Sequence, residues 1–358
     1  MKLAIVRQKY TPFGGAERFV DQAIGALRAQ GVDVSIVARQ WTGDVQGITL
    51  DPFYLGRTWR DVSFVRAVQR LIASRQFDLV QSHERIPGCH IYRAGDGVHA
   101  TWLEIRNKPL DALSPWHRYI LRAEEAMFRH PNLRAVICNS RMVRDDIARR
   151  FGVSNEKLHV IYNGVDIERF HPGLREEHRA RLRAELGVGE ATRVVLFVGS
   201  GFERKGLPTL IEAMRAVDAE LWVVGRDKSQ AAMEAKASRA GIPARFFGGQ
   251  IDVRPYYGAA DILALPTTYD PLPNAVLEAM ACGLPVVTTS NCGAAELLRA
   301  DRDAVVSAGD ISLLSEAVER TLNLSCGEAG GPDTRLADLA LHAMAERLRG
   351  LYAALSRD

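Results

Sequence analysis

The sequence predicts an α/β protein of two domains, each built on a parallel sheet. Short apolar runs alternate with helix-length amphipathic segments along the whole chain. The 358 residues exceed the roughly 250 to 300 at which one hydrophobic core stops growing. Strand candidates also divide six and six about a charged stretch, "GVDIERFHPGLREEHRARLRAELGV" at 164–188, which Pro172 and Gly173 punctuate.

Taken in order, the first six candidates are "KLAIV" (2–6), "VDVSIVA" (32–38), "DLVQS" (78–82), "CHIYRAG" (89–95), "AVICNS" (135–140) and "HVIYNGV" (159–165). The second six are "VVLFVGS" (194–200), "LWVVG" (221–225), "ARFFGG" (244–249), "ILALP" (262–266), "PVVTT" (285–289) and "AVVSA" (304–308). Domains are expected over 1–168 and 169–335. Residues 336–358, within "TRLADLALHAMAERLRGLYAALSRD", follow the last strand as an amphipathic helix. Its apolar face must be covered, and packing back on the first domain would cover it.

Composition narrows the function classes. With 47% apolar and 25% charged residues the chain reads as soluble and globular. "MKLAIVRQKY" has too short an apolar run for a signal peptide, and no run approaches the ~18 residues that span a bilayer. Five cysteines (Cys89, Cys138, Cys282, Cys292, Cys326) without a C-x-x-C pair favour neither disulfides nor zinc, so a reducing cytoplasm is expected. Residues 1–170 carry 25 Lys plus Arg against 18 Asp plus Glu, leaving 21 against 25 for the rest. An anionic partner therefore suits the first half. The basic residues are scattered and carry no nucleic-acid motif, so no nucleic acid is expected. Trp102 and Trp116, amid basic residues, are candidates for resting the first domain on a membrane.

Three loops bear chemistry. In "PFGGAERFVDQAIGALRAQG", Gly14 and Gly15 lie where a strand gives way to a helix, expected to open at about Ala16. Such a turn brings backbone N–H groups and a helix N-terminus to an anion, though paired glycines also serve simply to turn the chain. In "FVGSGFERKGLPTLIEAM", Gly199 and Ser200 follow a strand and Arg204 and Lys205 precede a helix. Two adjacent cations at the carboxyl end of a strand suit a diphosphate. In "TYDPLPNAVLEAMACGLPVV", the prolines hold helix off until about Asn274, the expected N-cap. Asp270 then sits on the loop, and Glu278, one turn into the helix, is the only charge in "AVLEAMAC". Such a carboxylate needs a partner, and the pattern admits either ligand hydroxyls or an arginine. The histidines show no metal spacing, and His99 in "GDGVH" is the most interesting by its neighbours.

Together these strings resemble the retaining glycosyltransferases of family 4, whose GT-B fold sets two Rossmann-like domains across a cleft. The resemblance covers nearly the whole chain: "FGGAE", "VICNS", "VIYNGVD", "VGSGFERKG", "AADILALPT" and, most specifically, "DPLPNAVLEAMACGLPVV", which matches the E-x7-E signature. "KYTPFGGAER" and "QWTGD" also resemble the branch of lipopolysaccharide core α-glucosyltransferases, whose donor is UDP-glucose. The resemblance implies that Glu278 holds the nucleotide ribose and Asp270 the transferred sugar. It assigns Arg204 and Lys205 to the diphosphate, with Gly15 lining the same cleft. It places the backbone of Leu272, Pro273, Asn274 and Ala275 along the donor, and His83 and Asp96 near acceptor-side or sugar-side contacts. It also implies an acceptor domain first and a donor domain second.

The expected activity is metal-independent retaining transfer of a hexose, with no cofactor beyond the nucleotide-sugar co-substrate, UDP-glucose or UDP-N-acetylglucosamine. The expected acceptor is a lipid-linked or phosphorylated glycan, lipopolysaccharide core in the first instance, met at anionic lipids of the inner membrane face. Alternatives are a family 4 transferase for exopolysaccharide or O-antigen, a UDP-sugar 2-epimerase of similar fold, or a nucleotide-sugar binding protein without turnover. Three departures from the pattern stand out. Asp270 replaces a glutamate, Gly199-Ser200 replaces glycine-arginine, and Phe19 replaces an acidic residue.

Overall fold

The computed structural model describes residues 1–10, 24–25, 27–28, 31–41, 47–325 and 334–356. Contacts divide the chain into two units, Met1–Gly164 with Leu341–Asp358, and Val165–Ala340.

The first unit holds a seven-stranded sheet and a two-stranded pair. In chain order its strands are β1 (Lys2–Val6), β2 (Lys9–Tyr10), β3 (Asp33–Ala38), β4 (Gln40–Trp41), β5 (Gly47–Thr49), β6 (Leu79–Ser82), β7 (Ile91–Ala94), β8 (Ala135–Cys138) and β9 (Leu158–Val160). The large sheet runs β5-β3-β1-β6-β7-β8-β9 and is parallel throughout, with β2 and β4 pairing apart from it. Each of the six strands expected here is found. The short edge strand β5 and the β2–β4 pair are additions that a three-residue or two-residue run cannot announce.

Alternation along β1 sends side chains to opposite faces. Leu3 and Ile5 enter one core, Ala4 and Val6 another. The second core is covered by helix α1 (Gly56–Ala73) through Phe64 and Val68. Helices α2 (His99–Arg106), α3 (Pro115–Phe128) and α4 (Arg141–Phe151) follow along the chain. The core around Leu3 and Ile5 also contains Met344, Leu348 and Tyr352, so the C-terminal helix does pack back on the first domain.

The second unit repeats the plan with β10 (Val194–Val198), β11 (Glu220–Val224), β12 (Ala244–Gly248), β13 (Ile262–Leu265), β14 (Val286–Thr289) and β15 (Ala304–Val306). Their order is β12-β11-β10-β13-β14-β15, all parallel. Every residue of β10 is buried, as the continuous apolar run of a strand covered on both faces requires. The helices are α5 (Leu174–Leu186), α6 (Leu207–Ala213), α7 (Gln230–Ala240), α8 (Arg254–Ala259), α9 (Asn274–Ala281) and α10 (Ile311–Ser325), with α11 (Leu341–Leu355) returning to the first unit. The charged α5 is anchored by buried Arg183, which donates to the Ala259 carbonyl at 2.9 Å and to Asp261 Oδ2 at 2.8 Å.

In both sheets the chain starts at a central strand, builds outward, then crosses to the other side. The reversal falls between β1 and β6 in one unit and between β10 and β13 in the other. At such a switch point two successive connections leave in opposite directions and open a crevice at the carboxyl ends of the strands.

Candidate functional site

In the second unit, the loops after β10 and β13 meet at the switch point. The first carries Arg204 and Lys205, the second Asp270. Asp270 Oδ2 accepts from Lys205 Nζ at 3.0 Å and from Arg204 Nη1 at 3.1 Å, while Arg204 Nη1 also reaches the Tyr269 carbonyl at 3.0 Å. Asp270 is buried and pinned at both backbone groups, donating to Asn291 O at 3.1 Å and accepting from Gly293 N at 2.8 Å. The Arg204 carbonyl closes the junction by accepting from the Thr268 amide and from the hydroxyls of Thr267 and Thr268.

Local sequence explains the cation placement. Gly199, at φ 149°, ends β10, and the Lys205 stem lies over it; a Cβ there would stand 2.5 Å from Lys205 Cδ. Gly206, at φ 79°, lets the backbone pass Pro266 so closely that a Cβ would sit 1.9 Å from the Pro266 carbonyl oxygen. Between them the amides of Gly201 and Phe202 donate to Asp227 Oδ2, at 2.9 and 3.2 Å. Hydrogen bonds from Ser229 and from these two amides hold the Asp227 carboxyl below its ordinary range. Ser200, at the crest of the loop, is exposed.

Helix α9 begins at Asn274 as expected, but its N-cap is Pro273 and makes no side-chain capping bond. The correction to Asn274 follows from the prolines: Pro273 is extended, at φ −72° and ψ 122°, and the helix starts one residue later. Leu272, Pro273 and Ala275 are buried and Asn274 is half-buried. The positive end of α9 thus stands directly after the loop that bears Asp270. Glu278 is half-buried one turn in, where Tyr257 Oη donates to its Oε2 at 2.8 Å and to the Ala275 carbonyl at 3.2 Å. Burial, with the nearby Glu278 carboxylate, pushes the Tyr257 phenol well up, so it stays a donor. The expected choice between ligand hydroxyls and arginine thus omitted a tyrosine.

In the first unit, His83 follows β6 and Asp96 follows β7, both at carboxyl ends of strands. Asp96 is exposed; His83 is half-buried, and its Nε2 lies 3.2 Å from Gln81 Nε2. Burial, then Arg93 and Arg7, push the His83 imidazole well below its usual range. The turn bearing Asp96 is braced by Glu124, which accepts from the amides of His99 (2.9 Å) and Ala100 (3.2 Å) and from Arg85 Nε (2.8 Å). Arg85 in turn donates to the Gly97 carbonyl at 3.0 Å. His99 Nε2 is 3.0 Å from His117 Nδ1, and burial, then Arg85, lower His99 to about 3. Gly14, Gly15, Phe19 and Cys326 lie outside the described residues.

The structure therefore unites Arg204, Lys205 and Asp270, and sets Glu278 on the adjoining helix. His83 and Asp96 follow the carboxyl ends of β6 and β7, neighbouring interior strands of the other sheet. Asp227, Tyr257, Gln81 and Glu124 were missed. Their partners lie 21 to 39 residues away or, for Gln81, just past the end of its strand, and none forms a motif. Among the cysteines, Cys89, Cys138, Cys282 and Cys292 are free, and burial pushes Cys89, Cys138 and Cys292 up to about 12.

Comparison with known proteins agrees with this architecture. Residues 13–169 match the model of Glycosyltransferase Family 4, and residues 192–323 that of Glycosyl transferases group 1. The lipopolysaccharide glucosyltransferase WaaG of Escherichia coli K12 is 27% identical over 339 residues, covering 91% of this chain and 90% of WaaG. The crystal structure of WaaG, a glycosyltransferase involved in lipopolysaccharide biosynthesis, superimposes with a TM-score of 0.77 at 26% identity over 97% of this chain and 94% of its own. Anabaena HepE in complex with UDP-glucose shares the fold at 19% identity and TM-score 0.74, over 99% of this chain and all of that one. With both halves matched in chain order, the chain belongs to the family 4 glycosyltransferases and adopts the GT-B fold.

Proposed function

We propose that this glycosyltransferase moves a hexose, with retention of anomeric configuration, from UDP-glucose or UDP-N-acetylglucosamine to a lipid-linked glycan acceptor of the lipopolysaccharide core type. The observation that carries the reading is the meeting of Arg204, Lys205 and Asp270 at the switch point beside the start of α9. Two cations and a helix N-terminus form a diphosphate site. The buried carboxylate that gathers the cations reaches the same place, where a sugar attached to that diphosphate would present its hydroxyls. Glu278, already engaged by Tyr257, supplies an acceptor for a ribose hydroxyl one helical turn away.

In the proposed step the bond between the anomeric carbon and the diphosphate oxygen breaks, and its electron pair stays with the phosphate. The acceptor oxygen bonds the anomeric carbon on the same face, and its proton passes to that phosphate oxygen. The products are a glycoside and a nucleoside diphosphate. Positive charge grows on the sugar ring while negative charge grows on the leaving group. Arg204 and Lys205 oppose the second charge, a contribution of about 2.7 to 4 kcal/mol for each such contact. No cofactor or divalent metal enters this scheme.

The acceptor reading includes contact with anionic lipids on the inner membrane face. No helix among the described residues is long and apolar enough to cross a membrane. Phe53, Leu55, Leu110 and Leu113 are each more than 70% exposed. Arg57 lies over the Trp116 ring, 3.3 Å from its centroid, tying the start of α1 to the start of α3 and bringing the two apolar segments to neighbouring surface. Trp116 itself donates to Asp61 Oδ2 at 2.7 Å and is half-buried, so the exposed leucines suit a lipid surface better.

The test is incubation of the purified protein with isotopically labelled nucleotide sugars, with and without lipid-linked acceptor. Acceptor-dependent glycoside with the donor's anomeric configuration supports the reading. Isomerised free sugar nucleotide means an epimerase, and donor binding without any product means a binding protein.

A further inference from the structure

A chain of buried hydrogen bonds joins the C-terminal helix to His83. Tyr352 on α11 donates its hydroxyl to Gln81 Oε1 at 2.6 Å, and the Gln81 amide nitrogen lies 3.2 Å from His83 Nε2. Tyr352 and Gln81 are 1% and 3% exposed, so neither exchanges its partner for water. The Tyr352 O–H is directed at the Gln81 oxygen, and the Arg93 charge acts on the same phenol. That orientation commits the Gln81 oxygen and leaves its NH2 facing the ring. An NH2 group only donates, so His83 Nε2 must accept.

We propose that Gln81 and Tyr352 are positioning residues that fix His83 as the neutral tautomer protonated on Nδ1. The ring then offers substrate a hydrogen-bond donor on Nδ1, never a base that takes the acceptor's proton. The catalytic consequence rests on the transferase reading above; the tautomer does not. The two cations near the ring act in the same sense. Arg7, following β1, and Arg93, on β7, both oppose a second proton. Glu84 stands beside His83, where it is affected by Asp96 and Arg85, and Tyr352 reaches in from α11. The division of labour is consistent with the proposed step, where the leaving phosphate takes the proton.

Two measurements test this. In the 15N-labelled full chain at pH 7, a long-range 1H–15N spectrum of the histidine rings should show His83 with Nδ1 protonated and Nε2 bare. The opposite pattern overturns the proposal, and no substrate is needed to see it. The second measurement is kcat/KM between pH 5.5 and 8.5. Gln81→Glu replaces the donor with an acceptor, so the neutral ring should take its proton on Nε2 and lose the Nδ1 donor.

Activity of Gln81→Glu at pH 8 should therefore fall about two- to tenfold, the weight of one hydrogen bond. It should recover as the pH drops and the imidazolium regains an N–H on Nδ1. An equal loss at every pH overturns the proposal. Tyr352→Phe, which keeps the packing and frees the Gln81 amide, should show mixed ring tautomers and a smaller loss. An unchanged spectrum in this variant overturns the role of Tyr352. The expected wild-type tautomer without turnover on any nucleotide sugar would refute the transferase reading while leaving the ring assignment intact.

Discussion

Replacing Lys205 by alanine separates the chemistry of the site from its architecture. Lys205 Nζ lies 3.0 Å from Asp270 Oδ2, and its side chain is 12% exposed against 37% for Arg204. At an effective dielectric near 20 the gross attraction of such a pair is about 5 kcal/mol, and desolvation takes back most of it. A net loss of about 1 to 3 kcal/mol is left, because Arg204 still holds Asp270 at 3.1 Å. For a unit of this size that is a melting shift of about 2 to 12 °C. Turnover should fall much further, about 100- to 1,000-fold, since in the proposed step the lost cation opposes the growing charge of the leaving group.

The assay is acceptor-dependent transfer at saturating donor, run beside a thermal melt of the same preparation. Gly199→Ala gives a second view of the same contact, because its Cβ would stand 2.5 Å from Lys205 Cδ and push the stem aside without removing the charge. Its turnover should lie between those of the wild type and Lys205→Ala. If Lys205→Ala keeps turnover within threefold of the wild type while remaining folded, Lys205 does not face the leaving group and the diphosphate assignment is wrong.

Three further outcomes follow from the structure. Glu278→Ala should reduce transfer at least tenfold with the fold intact, whereas Tyr257→Phe, which removes the hydroxyl donor to Glu278 (2.8 Å) and to the Ala275 carbonyl (3.2 Å), should raise the donor Kd about two- to tenfold by calorimetry. Equal donor affinity in all three proteins would remove Glu278 from the nucleotide site. His83 and His99 are both held below the unfolded histidine value near 6.5, so their contribution to stability is complete above that pH and declines as the pH falls toward the folded values. Between pH 7 and 5 the loss should be about 1 to 2 kcal/mol for each, read from urea midpoints. Glu84, raised by burial, acts in the opposite sense and offsets part of this loss, so the measurement is made on Glu84→Gln; a midpoint of that variant that does not move between pH 7 and 5 would contradict the histidine environments. Gly206→Ala should destabilise the protein by about 3 kcal/mol or more, since its Cβ would lie 1.9 Å from the Pro266 oxygen, and an unaltered melt would mean the two loops do not meet as described.

Much of the fold was legible because its strands are short, apolar and separated by helix-length segments. "VVLFV" is buried at every position, as its composition implies. The loops bearing Arg204, Lys205 and Asp270 were legible for the same reason, since each follows such a strand directly. What was not legible lies between segments. Asp270 and Arg204 are 66 residues apart, and nothing in either string says that one carboxylate oxygen gathers both cations. Tyr352 and Gln81 are 271 residues apart, and a tyrosine on an amphipathic helix reads as packing alone. Asn274 was misassigned as a cap because its side chain suits that position, whereas the fixed φ of Pro273 decides where the helix turns begin.

The docking of α11 also sets an order of events during synthesis. The core around Leu3 and Ile5 is complete only with Met344, Leu348 and Tyr352 in place, whereas Val165–Ala340 draws on no later residue for its grouping. On the ribosome the second unit can therefore close before the first, although the first emerges earlier. The nascent N-terminal sheet must wait, with that core incomplete, until residues near 352 leave the exit tunnel. A chain stalled or truncated before that point would carry a first core short of Met344, Leu348 and Tyr352 beside a finished second unit.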